Sequence, residues 1–236
     1  MLIERRAYTL RRGCGAEFWA LQHDWNRPDQ IQGYLECNLG YFEVQAGPAE
    51  QVVHLQRYDD FADWRARVAA NQAVPGRGEY YGKARALLRA QENAFFTPAP
   101  DAALSPLWHA GRDWRPGQPG LGPFDAQTAV LAEETVDLMP GTGPAWWAAL
   151  RDCAAAGGVE AEGLVGMFQS LTGELHRVLE LRLFPDMAAF RAHQAARAGH
   201  PAWVAARAAT APLIRANRVT LMSPSPVPWM RALLAP

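Results

Sequence analysis

A chain of 236 residues with 49% hydrophobic residues carries enough apolar material for a buried core, which excludes a wholly disordered protein. Its formal net charge is −1 with acids and bases mixed along the chain, so it lacks the basic stripe of a nucleic-acid binder. Only Lys83 among the 23 basic residues is a lysine, a bias that points to a GC-rich genome rather than to a function.

The N-terminal segment 2–10 reads as a strand, turned by Gly13-Cys14-Gly15. Phe18, Leu21 and Trp25 then recur at helical spacing and predict an amphipathic helix. Tyr41–Val44 is a short β-prone run, broken by Ala46-Gly47-Pro48, and Val52–Tyr58 is another strand. Asp59 or Asp60 can cap a helix whose stripe is Phe61, Trp64 and Val68. Gln91–Thr97 reads as a last strand. The order is β-α-β-β-α-β, a ferredoxin-like α+β unit.

That unit occurs twice. With Gly40 placed on Gly166, residues 40–71 and 166–197 align without a gap, and 11 of the 32 pairs are identical. They include Gly40/Gly166, Phe42/Phe168, Gly47/Gly173, Val52/Val178, Leu55/Leu181, Asp60/Asp186 and Arg65/Arg191. Backward, with a shift of two residues, Leu10 meets Leu138 and Trp19 meets Trp147; forward, the copies meet again near Asn93 and Asn217. The predicted organisation is a first repeat at 1–100, a Pro/Gly-rich linker at 101–124, a second, degenerate repeat at 125–222 and a Pro-rich tail at 223–236.

The runs Ile3-Glu4-Arg5-Arg6-Ala7-Tyr8-Thr9-Leu10, Gly40-Tyr41-Phe42, Gln51-Val52-Val53-His54-Leu55 with Tyr58 and Asp59, and Gln91-Glu92-Asn93 resemble the NIPSNAP family. The resemblance implies membership of the dimeric α+β barrel superfamily, whose members build a barrel from two such units. Tandem copies could then supply both halves of the barrel within one chain. Animal members of the family are linked to mitochondria and vesicle traffic. Superfamily relatives include cofactor-free monooxygenases, cyclases and haem-dependent chlorite dismutases, and a shared fold transfers none of these chemistries.

Strand alternation locates a candidate site. One face of Val52–Tyr58 carries Val53, Leu55 and Arg57, and the other carries His54, Gln56 and Tyr58. The apolar face is expected under the helices, which bring Phe61, Trp64, Met187 and Phe190. The polar face is then expected to line the space between the two sheets. Glu4, Arg6 and Tyr8 are assigned to the same interior through the family resemblance. With Glu134, Glu180 and Arg182 from the second copy they would make a polar pocket. There His54 could act as general base while Tyr8 or Arg6 stabilises an oxyanion, on a small anionic or phenolic ligand. The alternative is structural: Glu4–Arg6–Glu134 and Glu180–Arg182 ion pairs that hold the halves in register, in a non-enzymatic assembly or scaffold protein.

Other signals are weaker. His193, Arg197 and His200 share a helical face but lack the roughly three ligands of a metal site, so no metal and no other cofactor is expected; His176 or His200 would be the guesses for a haem ligand. The glycine turns 13–15 and 141–143 lack a phosphate-loop fingerprint. Cys14, Cys37 and Cys153 are isolated thiols suited to a reducing compartment. Charges at Glu4, Arg5 and Arg6 interrupt any signal sequence, and no apolar run approaches the ~18 residues of a membrane span. The expected protein is cytoplasmic, is not inserted in a membrane, and forms a possible homo-oligomer around a small-molecule ligand.

Overall fold

The computed structural model describes residues 1–109, 111–119, 121–122 and 124–234. The first copy runs β1 (Leu2–Leu10), α1 (Gly15–Trp25), α2 (Pro28–Leu35), β2 (Asn38–Ala46), β3 (Gln51–Tyr58), α3 (Phe61–Gln72), α4 (Arg77–Leu87) and β4 (Leu88–Pro98). The second runs β5 (Val130–Leu138), α5 (Gly143–Ala155), β6 (Leu164–Ser170), β7 (Arg177–Phe184), α6 (Met187–Gly199), α7 (Pro201–Thr210) and β8 (Ile214–Pro224). All strand pairs are antiparallel, and they close into one barrel in the order β1-β3-β2-β8-β5-β7-β6-β4. The two copies join where β2 meets β8 and β4 meets β6, so the intrachain barrel expected from the repeat forms. No helix among the described residues is long and apolar enough to cross a membrane.

The pairs that survive between the copies have local causes. Asp60 and Asp186 cap α3 and α6, each accepting a hydrogen bond from a backbone N–H three residues on, at 2.8 Å. A Cβ on Gly40 would stand 2.7 Å from the Phe42 ring, and one on Gly166 would stand 2.9 Å from the Phe168 ring. The Gly-x-Phe motif lets each fully buried ring fold back over the bare backbone of its own strand.

The barrel interior corrects the expected faces. Ile3, Val53, Leu55 and Phe42 of the first copy pack there against Leu131, Leu179, Leu181 and Phe168 of the second. The Val53/Leu55 face therefore points into the barrel, and the His54/Gln56/Tyr58 face lies under the helices. Closing a barrel brings two apolar faces together and removes more apolar area from water than the partial helical cover can. Consistent with that, Phe61 remains 46% exposed and Met187 36% exposed. Leu107, Trp108 and Trp114 from the predicted linker also enter the interior, as do Leu233 and Leu234 from the predicted tail. The indoles bring their own acceptors: Trp108 donates to the Trp114 carbonyl and Trp114 to the Pro119 carbonyl, both at 2.8 Å.

Candidate functional site

Glu4, Arg6, Tyr8, His54, Gln56 and Tyr58 do come together, between the first copy's sheet and its helices rather than between the sheets. Strand register sets Glu4 beside Gln56 and Arg6 beside His54, and His54 beside Tyr41. Arg6 Nε donates to Glu4 Oε1 at 2.7 Å, and the Tyr58 hydroxyl donates to Gln56 Oε1 at 2.8 Å. The His54 ring lies between Tyr8 and Tyr41, with centroids at 4.9 and 4.3 Å. Tyr34 of α2 closes the layer, its hydroxyl 3.3 Å from that of Tyr41.

His54 is 0% exposed, and neither ring nitrogen has a hydrogen-bond partner among the described residues. Burial, and secondarily the Arg6 charge, holds its pKa well below that of an ordinary histidine, so the ring is neutral. Burial likewise pushes the Tyr8 phenol up to about 12.

The second copy differs in the same layer. A cavity of about 660 Å³ lies between its sheet and α5, α6 and α7. Val136, Met167, Val178 and Ile214 form an apolar floor beneath Trp146, Leu150 and Trp203, while Glu134, Glu180, Arg197 and Asn217 make one side polar. Arg197 donates to both oxygens of Glu180, at 2.9 and 3.2 Å, and its guanidinium lies 3.5 Å above the Trp203 ring centroid. Arg182 adds a longer bond to Glu180 at 3.4 Å, but mainly donates to the carbonyls of Glu160 and Glu162 at 2.8 and 2.7 Å. Burial opposes ionisation of Glu180, and Arg197 with Arg182 outweighs it, holding this carboxyl below the ordinary range. Burial, then the Glu180 charge, shifts Glu134 the other way. Its Oε1 accepts from Asn217 at 3.0 Å, and its side chain is 24% exposed.

The difference between the copies traces to side-chain size. Leu10 pairs with Leu88 as Leu138 pairs with Ile214, so the last strands are offset by the same 126 residues as the central ones. That register sets Tyr8 on Val136, Tyr41 on Met167, Tyr80 on Ala206 and His54 on Glu180. It also corrects one expected pair: Asn217 lies beside Val136, whereas Asn93 lies beside Arg6, two residues out of step. The first copy fills its layer with phenols, including Tyr34 of α2, a helix without a counterpart between α5 and β6. The second copy replaces three of them with smaller side chains. Sequence reasoning listed Glu134 and Glu180 but missed Arg197 as their partner, Trp203 and the cavity itself. The Tyr-to-small exchanges, visible once the copies are aligned, were the available signal. His193, on the helical face set aside as a metal site, has Nδ1 3.0 Å from Glu160 Oε2.

The NIPSNAP family model matches the chain twice, over residues 3–103 and 135–228. The chain belongs to the NIPSNAP family. Each NIPSNAP copy is thus recognised separately, including the degenerate second one. A solved putative monooxygenase from Fusobacterium nucleatum has a TM-score of 0.61 at 9% identity, covering 95% of this chain and 92% of that one. A putative monooxygenase from Lactobacillus acidophilus has a TM-score of 0.58 at 9% identity, covering 95% and 93%. At that identity the likeness is one of fold. A NIPSNAP-like domain protein from Burkholderia xenovorans is 33% identical over 42% of this chain and 85% of its own, with a TM-score of 0.37. No curated protein matches the sequence.

Proposed function

We propose that this NIPSNAP protein binds a small organic molecule in the sheet–helix cavity of its second copy. The observation that carries the reading is the cavity itself. Its volume of about 660 Å³ falls in the range of roughly 300–1,000 Å³ typical of small-molecule sites, and its apolar floor meets a few convergent polar groups. Much of the barrel interior is filled by the protein's own side chains, and the recess of about 560 Å³ at one mouth is lined largely by polar groups such as Arg5, Gln91, Glu174, Arg177 and Arg218, so the ligand chamber is assigned to the helical layer instead. Glu134, Glu180 and Arg197 would orient the polar end of the ligand, and Trp146 and Trp203 would face its body.

A neutral fluorescent probe of apolar cavities, N-phenyl-1-naphthylamine, tests this. Its emission is expected to rise with the wild-type protein and to stay at the free-probe level with Val136→Tyr, which restores the first copy's phenol. Equal enhancement by both proteins would sink the reading.

Catalysis through His54, Tyr8 and Arg6 is the second reading. The partnerless, neutral His54 ring favours it, since both nitrogens keep their hydrogen-bonding capacity. A reactant would reach them only through movement of the α1/α2 cover. In that reading His54→Ala abolishes turnover while Val136→Tyr leaves it unchanged.

A further inference from the structure

Resting on that cavity reading, we infer that Glu134 is the specificity-determining residue of the second copy and that its Oε2 accepts a hydrogen bond from a neutral, hydroxyl-bearing ligand with an aromatic-sized apolar body. Four observations converge on this class of ligand.

First, the charges at the polar side of the cavity cancel. Glu134 and Glu180 are cross-strand neighbours, and the guanidinium groups of Arg197 and Arg182 stand against them. This balance leaves no net charge to attract a buried anionic or cationic head, and an unpaired charged head would lose its hydration on entry. Arg207 lines the cavity from its exposed rim and its charge reaches Glu134, while Arg182 lies outside the lining, so the lining itself holds two carboxylates and two guanidinium groups.

Second, the two carboxylates are not equivalent. Glu180 is engaged by Arg197 through both oxygens and by Arg182 as well. Glu134 receives one hydrogen bond, from Asn217 to Oε1, and the nearest guanidinium nitrogen stands 3.6 Å from Oε2, beyond hydrogen-bond length. Oε2 is therefore the acceptor of this pair that is open to a guest. A carboxyl made more basic by burial and by the neighbouring Glu180 is also the better acceptor for a weakly acidic hydroxyl.

Third, apart from Gln194, Thr210, the rim Arg207 and the Trp146 Nε1–H, the rest of the chamber is apolar. Val136, Met167, Val178, Leu150 and Ile214 offer surface for a hydrocarbon body, with the Trp146 indole beside them. Fourth, the first copy has Arg6 where the second has Glu134, and Arg6 is spent on Glu4. The open acceptor is thus a property of the second copy, and it coincides with the cavity.

The probes are naphthalene, 2-naphthol, 2-naphthoate and protonated 2-naphthylmethylamine, which share a body and differ in the head. Wild-type protein is expected to bind 2-naphthol at least about tenfold more tightly than naphthalene, as a hydrogen bond to a carboxylate allows, and neither charged analogue more tightly than 2-naphthol. Glu134→Leu should reduce the 2-naphthol preference to within about twofold while leaving naphthalene affinity within about twofold. Glu134→Gln, which retains the Oε1 acceptor for Asn217, is the second variant and should give an intermediate preference.

A 2-naphthol preference that survives Glu134→Leu overturns the inference, and so does a charged head that binds best. Equal binding of naphthalene and 2-naphthol to wild type overturns it while leaving the cavity reading intact. If neither naphthalene nor N-phenyl-1-naphthylamine binds, the cavity reading itself fails and this inference fails with it.

Discussion

Arg5 of β1 and Glu133 of β5 hold equivalent places in the two copies and grip each other across the barrel. Arg5 lies beside Leu55 as Glu133 lies beside Leu181, and the guanidinium donates to the two carboxylate oxygens at 2.7 and 2.8 Å. Glu133 is 0% exposed. Contact between equivalent positions puts the pair on the local two-fold relating the copies, where two identical subunits would set like against like.

The pair should therefore enforce pairing of unlike copies. Arg5→Ala is expected to cost about 3 kcal/mol, because it strands a buried carboxylate. The double swap Arg5→Glu with Glu133→Arg should recover most of that loss. Urea melts measure both, and a swap no more stable than the single variant would count against the idea. Residues 1–100 alone would meet Arg5 with Arg5 in a self-dimer, so size-exclusion chromatography should show aggregate rather than a stable dimer.

His54 should make stability fall as the solution becomes acidic. Its folded pKa is depressed, so below the ordinary value of about 6.5 the unfolded chain binds a proton that the folded chain refuses. Stability attributable to this group is present above that pH and is lost below it, by at most about 1.4 kcal/mol per pH unit. His54→Phe exchanges two partnerless ring nitrogens for an apolar ring and removes this dependence. Melts of wild type and variant from pH 7.5 to 5 should diverge as pH falls, with the wild type losing more. Parallel curves would refute the depressed pKa.

Glu180 and Glu134 should separate by stability. Glu180→Leu leaves Arg197 and Arg182 buried without their shared partner and is expected to cost about 3–5 kcal/mol. Glu134 is partly exposed and accepts a single hydrogen bond, so Glu134→Leu should cost less than about 1 kcal/mol. Thermal melts of the two variants check the order. Equal losses would mean that Glu134, too, serves the fold.

Much of this was already written in local signals. The glycine turns, the Asp60 and Asp186 caps, the two-residue alternation of the strands and the recurrence of Gly-x-Phe are read from neighbours in the chain. Together they determined two β-α-β-β-α-β copies, while their closure into one barrel was what the NIPSNAP resemblance implied. Alternation also grouped Glu4, Arg6 and Tyr8 on one face of β1 and His54, Gln56 and Tyr58 on one face of β3, and the family resemblance set the two faces together, whichever way they point.

Only the tertiary structure decided which way. A strand covered on both sides buries both faces, so alternation separates Val53 from His54 without saying which meets the barrel and which meets the helices. Polarity pointed the wrong way, since tyrosine and histidine bury an apolar ring and pack under helices as readily as aliphatic side chains fill a barrel. Cavity formation is likewise non-local. It depends on Val136 and Met167, on two separate strands, both being smaller than their counterparts Tyr8 and Tyr41, and on Arg197 arriving from α6 to neutralise Glu180. The free energy of such a site is set by which side chains fill one volume together, a sum over contacts that no single stretch of sequence contains.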